Sequence, residues 1–185
     1  KTKNQILKNQ IGKSRDRLYR VALAWSGDEM LADDLVQETM TAGIVNSHQL
    51  RDEKRLFVWL YSILNNSWCK YLHNAKSQTE FDDELAVEDC ADPCHNCDES
   101  ETVLRVRRAV ATLPPNQSQV IALIDLEELS YNEVAEVLGI PIGTVMSRLH
   151  RARKNLLMKL ENTQPEVGKI YLKSKAAKDE IRIVK

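Results

Sequence analysis

The chain has 185 residues, of which 43% are hydrophobic and 29% are charged, and its formal net charge is −1. This length suits one domain or two small ones, and the near-neutral charge excludes a protein that coats nucleic acid by bulk positive charge. The sequence contains no run of 18 apolar residues and opens on no signal-peptide pattern, so we expect a cytoplasmic protein without membrane insertion.

The hydrophobic pattern predicts an all-α fold of two small helical domains. Apolar residues recur at helical spacing in two segments, roughly 1–76 and 103–160, and few alternating β-branched runs occur that would favour a sheet. The intervening segment, 77–102, is acidic, with ten acidic residues and no Lys or Arg between 80 and 102. Such a block is typical of a solvated, flexible linker.

Two helices are predicted in the first part of the N-terminal domain. Leu18, Ala22 and Trp25 lie at helical spacing and indicate the buried side of the first helix. Asp28 follows a break in the pattern and can cap the second helix. The apolar stripe of that second helix comprises Leu31, Leu35, Val36 and Met40. Its exposed side comprises Asp33, Asp34, Gln37 and Glu38.

A third helix is predicted after Asp52, which can cap it. Its inward stripe comprises Phe57, Leu60, Leu64, Trp68 and Tyr71. Its other face presents Trp59, Asn66, Lys70 and His73. Aromatic rings beside amides and cations can hold the unstacked bases of single-stranded DNA. The alternative is that the aromatic residues form core; periodicity favours core for Phe57 and Trp68 and does not decide for Trp59.

The acidic segment contains a cluster of metal-ligating side chains. Cys90, Cys94 and Cys97 lie within eight residues, with His95 among them. This spacing offers up to four ligands to Zn²⁺ or Cu(I), and a bound metal or a disulfide could fix the distance between the two domains. The alternative is incidental cysteines in a solvated linker, because the second pair of a standard zinc site is missing. Cys69 is a candidate fourth thiol, unless it is buried as a small hydrophobe.

Residues 129–157 have the pattern of a helix-turn-helix, the simplest device for placing a helix in the DNA major groove. Ser130 and Glu133 have the spacing of a capping box at the start of the first helix. Gly139 stands where a left-handed residue ends that helix, and Pro141 keeps the connection short.

The second helix of this motif carries polar and basic side chains that suit DNA. Its predicted buried stripe comprises Val145, Leu149, Ala152 and Leu156. A neighbouring face comprises Thr144, Ser147, Arg148 and Arg151, whose hydroxyls and guanidiniums suit base edges and phosphates. The alternative is a solvated surface helix, but the caps, the turn and the polarity all agree with DNA binding.

Catalytic motifs do not stand out. The sequence contains no nucleophile elbow, no H-E-x-x-H and no P-loop, so we predict no enzymatic activity. The remaining residues, 161–185, are predicted to form a basic tail, with six Lys/Arg against three acids from Gln164 onward. The tail is either frayed chain or a docking segment for a partner.

Three motifs carry a family resemblance. They are DDLVQETM at 33–40, F-x-W-L-Y-x-I-L-x-N at 57–66 and GTVMSRLHRAR at 143–153. Together they resemble the extracytoplasmic-function sigma factors, the small two-domain members of the sigma-seventy family of bacterial transcription initiation factors. The resemblance covers roughly residues 15–160. It implies a dissociable subunit that binds core RNA polymerase and directs it to specific promoters.

The resemblance also implies a role for each set of residues. The helix that docks on the coiled coil of the largest polymerase subunits would use Asp33, Asp34, Leu35, Val36, Gln37 and Glu38. The set that recognises and opens the minus-ten promoter element would be Trp59, Asn66, Lys70 and His73. The set that reads the minus-thirty-five element would be Thr144, Ser147, Arg148 and Arg151. The neighbourhood of residues 120–124 would include surface for the polymerase flap.

Two other functions stay open at the level of the sequence. The chain could be a helix-turn-helix regulator that acts without becoming a polymerase subunit, although the 33–40 helix would then have no role. It could also be a metal- or redox-responsive sensor that acts through its linker cysteines. By analogy with the family, we expect an anti-sigma protein to hold the chain inactive.

Overall fold

The computed structural model describes residues 2–79 and 101–163, and all regular secondary structure in these ranges is helical. The predicted all-α class is therefore confirmed. The helices are α1 Thr2–Lys13, α2 Arg15–Ser26, α3 Glu29–Val45, α4 Leu56–Thr79, α5 Glu101–Ala111, α6 Pro115–Ile121, α7 Tyr131–Leu138 and α8 Ile142–Thr163. Among the described residues, no helix has the length and hydropathy needed to span a membrane. The predicted flexible linker and basic tail lie largely outside these ranges and stay predictions.

The N-terminal unit consists of α1–α4, with α3 packed between α2 and α4. The predicted inward residues of α2, Leu18, Ala22 and Trp25, are all buried. Gly27 ends α2 with a φ of 69°, a left-handed conformation that glycine adopts without steric cost. The carboxylate of Asp28 then accepts a hydrogen bond of 2.9 Å from the Leu31 N–H, which confirms the predicted cap of α3.

Helices α3 and α4 approach each other closely at Gly43. A Cβ atom at this position would lie 3.0 Å from Cδ2 of Leu60 and 3.8 Å from the side chain of Ile11. The absence of a side chain at Gly43 therefore lets α1, α3 and α4 meet around one point. This contact fixes the relative placement of α3 and α4, whose outward faces carry two of the predicted sites.

The C-terminal unit consists of α5–α8, with a five-residue π-helical segment, Ala122–Leu126, after α6. The capping box is confirmed, because Ser130 Oγ accepts from the Glu133 N–H at 3.3 Å while Glu133 accepts from the Ser130 N–H at 2.8 Å. Gly139 has a φ of 64°, as predicted for the end of α7. The predicted inward stripe of α8 is buried throughout. The helix-turn-helix is therefore formed by α7 and α8.

The two units pack against each other, which the sequence analysis did not anticipate. Helix α4 contacts α7, and α2 contacts α5, α6 and the π-helical segment. Val58 and Tyr61 of α4 are buried although neither belongs to the predicted inward stripe. The stripe prediction was wrong for Tyr71, which is 42% exposed, and Phe57 is only partly buried. Helix α4 thus has two buried sides, one toward its own unit and one toward the other.

A buried carboxylate lies at the centre of this interface. The side chain of Glu127 is 1% exposed and accepts hydrogen bonds from Arg17 Nε at 2.7 Å and Arg20 Nη2 at 3.2 Å. The hydroxyl of Tyr61 donates a third hydrogen bond to it at 2.5 Å. We call these four residues the Glu127 joint. Burial, and then the hydrogen bond to Glu127, raise the pKa of Tyr61 well above its usual value.

A second polar contact lies beside the joint. The amide of Asn65 on α4 donates to the backbone oxygen of Val137 at 3.4 Å and accepts from Gln119 at 2.8 Å. All of these groups come from different helices, so the two units are held in register by directional bonds. At the edge, the exposed side chains of Arg55 and Glu136 form an ion pair.

Candidate nucleic-acid and protein interfaces

The outward face of α3 presents the polar residues that the sequence analysis assigned to polymerase binding. Asp34, Gln37 and Glu38 are exposed. Asp33 is half-buried and bound to Arg15 at 2.6 Å, so it is partly engaged within the chain. The face is thus an acidic and amide-bearing surface suited to a basic partner.

Two of the six predicted contact residues on α3 face inward instead. Leu35 and Val36 are 3% and 1% exposed and belong to the core of the N-terminal unit. A direct contact of these side chains with polymerase is therefore corrected to a supporting role, because the outer surface of a helix cannot include its buried stripe. They hold α3 against α2 and α4 while the polar side chains make the surface.

The predicted minus-ten residues lie together on the outward face of α4. Asn66, Lys70 and His73 are exposed, and their spacings of four and three residues place them on one side of the helix. Trp59 lies on the same side but is half-buried against the core. Nζ of Lys70 lies 3.9 Å from Oε1 of Glu38, so this face of α4 directly adjoins the polar face of α3.

Helix α4 also presents an exposed tyrosine ring, although the sequence pattern predicted that Tyr71 faces inward. The ring of Tyr71 stacks on the buried ring of Trp68, with centroids 5.6 Å apart and planes 11° apart. Trp68 is core, as periodicity favoured, but it supports an accessible tyrosine ring. Such a ring is a stacking platform for an unstacked base. Neighbouring Cys69 is exposed, which excludes a role as buried hydrophobe.

The predicted minus-thirty-five residues lie on one outward side of α8. Ser147 and Arg151 are exposed, and Thr144 and Arg148 are half-buried. Ser147 Oγ donates to the Thr144 carbonyl at 3.1 Å, and Arg151 Nε donates to the Ser147 carbonyl at 3.2 Å. The second bond ties the exposed Arg151 side chain to the preceding turn of α8.

The comparisons with known proteins agree with this geometry. Residues 11–78 match the family model described as Sigma-70 region 2, and residues 104–156 match the one described as Sigma-70, region 4. The ECF RNA polymerase sigma factor EcfG of Rhodopseudomonas palustris is 30% identical over 141 residues, which are 75% of this chain and 76% of that protein. This chain belongs to the extracytoplasmic-function (ECF) sigma factors.

Two further relatives define the extent of the similarity. The ECF sigma factor SigE of Mycolicibacterium smegmatis is 32% identical over 146 residues, which are 76% of this chain but 56% of the length of that relative. A solved structure of the sigma factor RpoE in complex with the anti-sigma factor NepR, from Bartonella quintana, superimposes with a TM-score of 0.74 at 25% identity. The match covers 83% of this chain and 96% of that one.

In this ECF sigma factor, several residues of region 4 hold the unit together and do not form its contact surface. Arg153 binds Asp125 at 3.0 Å, and Asn155 donates to Gln117 at 2.9 Å, so both fasten α8 to the rest of region 4. Residues 120–124 are all buried in the core, so the prediction of polymerase surface in their neighbourhood can concern only adjoining exposed residues, and it stays a prediction. The segment positions the helix-turn-helix from inside.

The predicted metal cluster of this sigma factor, Cys90, Cys94, His95 and Cys97, lies outside the described residues. Within the described ranges, the structure brings together no group of three or more His, Cys, Asp or Glu side chains that could hold a metal ion. The possible zinc site therefore stays a prediction of the sequence analysis.

Proposed function

We propose that this chain binds core bacterial RNA polymerase in the cytoplasm and directs it to promoters, reading the minus-ten element through α4 and the minus-thirty-five element through α8. One observation supports the proposal most strongly. The polar face of α3 adjoins the face of α4 that carries Asn66, Lys70 and His73, and the other unit of the chain presents a basic helix-turn-helix. A stand-alone DNA-binding regulator needs only the last of these features.

The polymerase contact rests on exposed charge held in place by a rigid helix. Asp34, Gln37 and Glu38 project from α3, whose opposite side is packed in the core and whose start is capped. Carboxylates on a fixed surface favour a complementary basic surface and mainly govern the rate and specificity of association. The chemistry of RNA synthesis belongs to the polymerase, and we propose no catalytic activity for this chain.

The minus-ten contact rests on side chains that suit single-stranded DNA. Lys70 can pair with a phosphate, Asn66 can hydrogen-bond a base edge, and the Tyr71 ring can stack on an extruded base. Lys70 lies 3.9 Å from Glu38, so DNA that is opened on α4 would lie next to polymerase docked on α3.

We also propose that an anti-sigma protein controls this chain. The support is the similarity to RpoE, which was solved in complex with the anti-sigma factor NepR. Separately, the linker cluster of Cys90, Cys94, His95 and Cys97 is proposed to bind Zn²⁺ and thereby order the linker. Metal analysis of anaerobically purified protein tests the second proposal; a protein without bound zinc and with freely titratable thiols would exclude it.

The decisive experiment is the selection of fork-junction promoter DNA from a random library by this chain, with and without core bacterial RNA polymerase, under reducing conditions. Selective binding and open-complex formation only in the presence of core enzyme would support the proposal. Selection of duplex sites by the chain alone, with no effect of core enzyme, would identify a stand-alone regulator instead.

A matched pair of charge reversals makes this experiment specific to α3. Asp34→Lys should weaken the binding of core enzyme at least tenfold, because one exposed carboxylate of the polar face becomes a like charge toward a basic partner. Asp16→Lys reverses the charge of another exposed carboxylate, on α2, and this variant should bind core enzyme normally. Equal losses in both variants would contradict a docking role for α3.

A further inference from the structure

Two large apolar side chains are exposed on the recognition helix. Met146 is 51% exposed and Ile142 is 42% exposed. They lie four residues apart and are therefore neighbours on one side of α8. Neither of them belongs to the predicted DNA-reading set. Ser147, one member of that set, lies at the centre of the outward face, with the other three members on one side of it and Met146 and Ile142 on the other.

The core of region 4 does not use these side chains. Its contact with α8 is made by the stripe of Val145, Leu149, Ala152 and Leu156, which is buried along its whole length. Met146 follows Val145 directly and points away from this stripe, since successive residues of a helix are rotated by about 100°. The methionine thus adjoins exposed Ser147, on the surface that a helix-turn-helix places against DNA.

The major groove offers one apolar group for such a side chain. The C5-methyl group of thymine is the only methyl among the unmodified base edges, and apolar side chains read it by direct contact. Methionine is unbranched and polarizable, so it can adapt to a methyl group at the groove floor. A lysine or arginine at the same place would favour phosphate or guanine instead.

We propose that Met146, flanked by Ile142, contacts the methyl group of a thymine in the minus-thirty-five element and makes this position specific for thymine. The assignment rests on the proposed function, because it requires that α8 read promoter DNA. It adds an apolar contact to a set of residues that otherwise consists of hydroxyls and guanidiniums.

The test uses uracil, which differs from thymine in this contact only by the missing methyl group. The complex of the full chain with core polymerase first selects its minus-thirty-five sequence from a duplex library. Each thymine of the selected sequence is then replaced by uracil, one at a time, and the affinity is measured. At one position the replacement should weaken binding about fourfold, as expected for the loss of one buried methyl group.

The Met146→Ala variant should bind the thymine and uracil duplexes equally at that position. Met158→Ala is the matched control, because Met158 is a similarly exposed methionine farther along α8, beyond the Arg153 and Asn155 contacts. This control should keep the full preference for thymine. Circular dichroism verifies the fold of both variants, which should be intact because an exposed methionine contributes little to the packed core.

Two outcomes would overturn the assignment, and they are distinguishable. If a sequence is selected but the thymine preference is absent, or unchanged in Met146→Ala, the assignment fails alone. If the complex selects no minus-thirty-five sequence at all, the proposed function fails with it. A Met146→Lys variant gives a further check, since its selected sequence should lose thymine at the uracil-sensitive position.

Discussion

The hydroxyl of Tyr61 on α4 donates a 2.5 Å hydrogen bond to Oε2 of Glu127, which directly follows the π-helical segment of the other unit. Both side chains are buried. Arg17 and Arg20 compensate the charge of the same carboxylate, and the Arg17 guanidinium also lies 3.7 Å from the centre of the Phe57 ring. Glu127 thus accepts hydrogen bonds from three side chains, which belong to two helices of the N-terminal unit.

Replacing Glu127 with glutamine should lower the free energy of unfolding by about 2 kcal/mol. Hydrogen bonds to a charged group contribute about 1.5–3 kcal/mol, and the two arginines, 38% and 44% exposed, can turn partly to water. Urea unfolding followed by circular dichroism measures the change. Glu38→Gln is the control, because its exposed carboxylate is 3.9 Å from Lys70 and should contribute less than about 0.5 kcal/mol. Equal losses would argue against the joint.

The raised pKa of Tyr61 predicts a loss of stability in alkaline solution. Below about pH 10 the phenol is protonated in both the folded and unfolded chains, so its contribution is fully present. Above that pH the unfolded chain loses this proton while the folded chain keeps it, which favours unfolding by about 1.4 kcal/mol per pH unit. The stability advantage of the native protein over Tyr61→Phe should therefore shrink by about 1.4 kcal/mol between pH 9 and pH 11. A constant difference over this range would contradict the prediction.

Two glycines of the helix-turn-helix should respond oppositely to alanine. Gly139→Ala should destabilise region 4 by about 1 kcal/mol, because the left-handed backbone at φ 64° strains any residue with a Cβ. Gly143→Ala should stabilise it by about 0.5–1 kcal/mol, because position 143 is helical and has open space around its Cβ. Thermal unfolding of the two variants compares the effects, and a stabilising Gly139→Ala would be inconsistent with the turn geometry.

Removal of one guanidinium from α8 should change the salt dependence of promoter binding. If the donors of Arg151 bind a phosphate, Arg151→Ala should reduce the slope of log affinity against log salt concentration by about 0.9. Titration of a minus-thirty-five duplex at several salt concentrations, with core enzyme present, measures this slope. Arg153→Ala should leave the slope unchanged, because Arg153 binds Asp125 within region 4. A slope that changes only in Arg153→Ala would reverse the assignment.

The sequence predicted those features that depend on local spacing. The inward stripes of α2 and α8, the cap at Asp28 and the left-handed Gly139 each follow from residues within one or two helical turns of one another. The four minus-thirty-five residues likewise share one side of α8 because helical periodicity alone places them there.

The interface between the units could not be predicted, because its partners are far apart in sequence. Tyr61 and Asn65 lie outside the predicted apolar stripe of α4. Helical periodicity predicts one buried side for a helix, whereas α4 has two. Glu127 stands in an acidic run with Asp125 and Glu128, which by composition alone indicates a solvated turn. Its burial depends on arginines more than 100 residues earlier in the chain.

The polarity of the Glu127 joint has a consequence for how the two units separate. A carboxylate, two guanidiniums, a phenol and the Asn65–Gln119 amide pair are all groups that water can hydrogen-bond equally well once the units part. Separation would therefore exchange the hydrogen bonds between these groups for hydrogen bonds to water. An interface of this composition suits reversible opening, in which region 2 and region 4 can move apart to different distances and return to the same register.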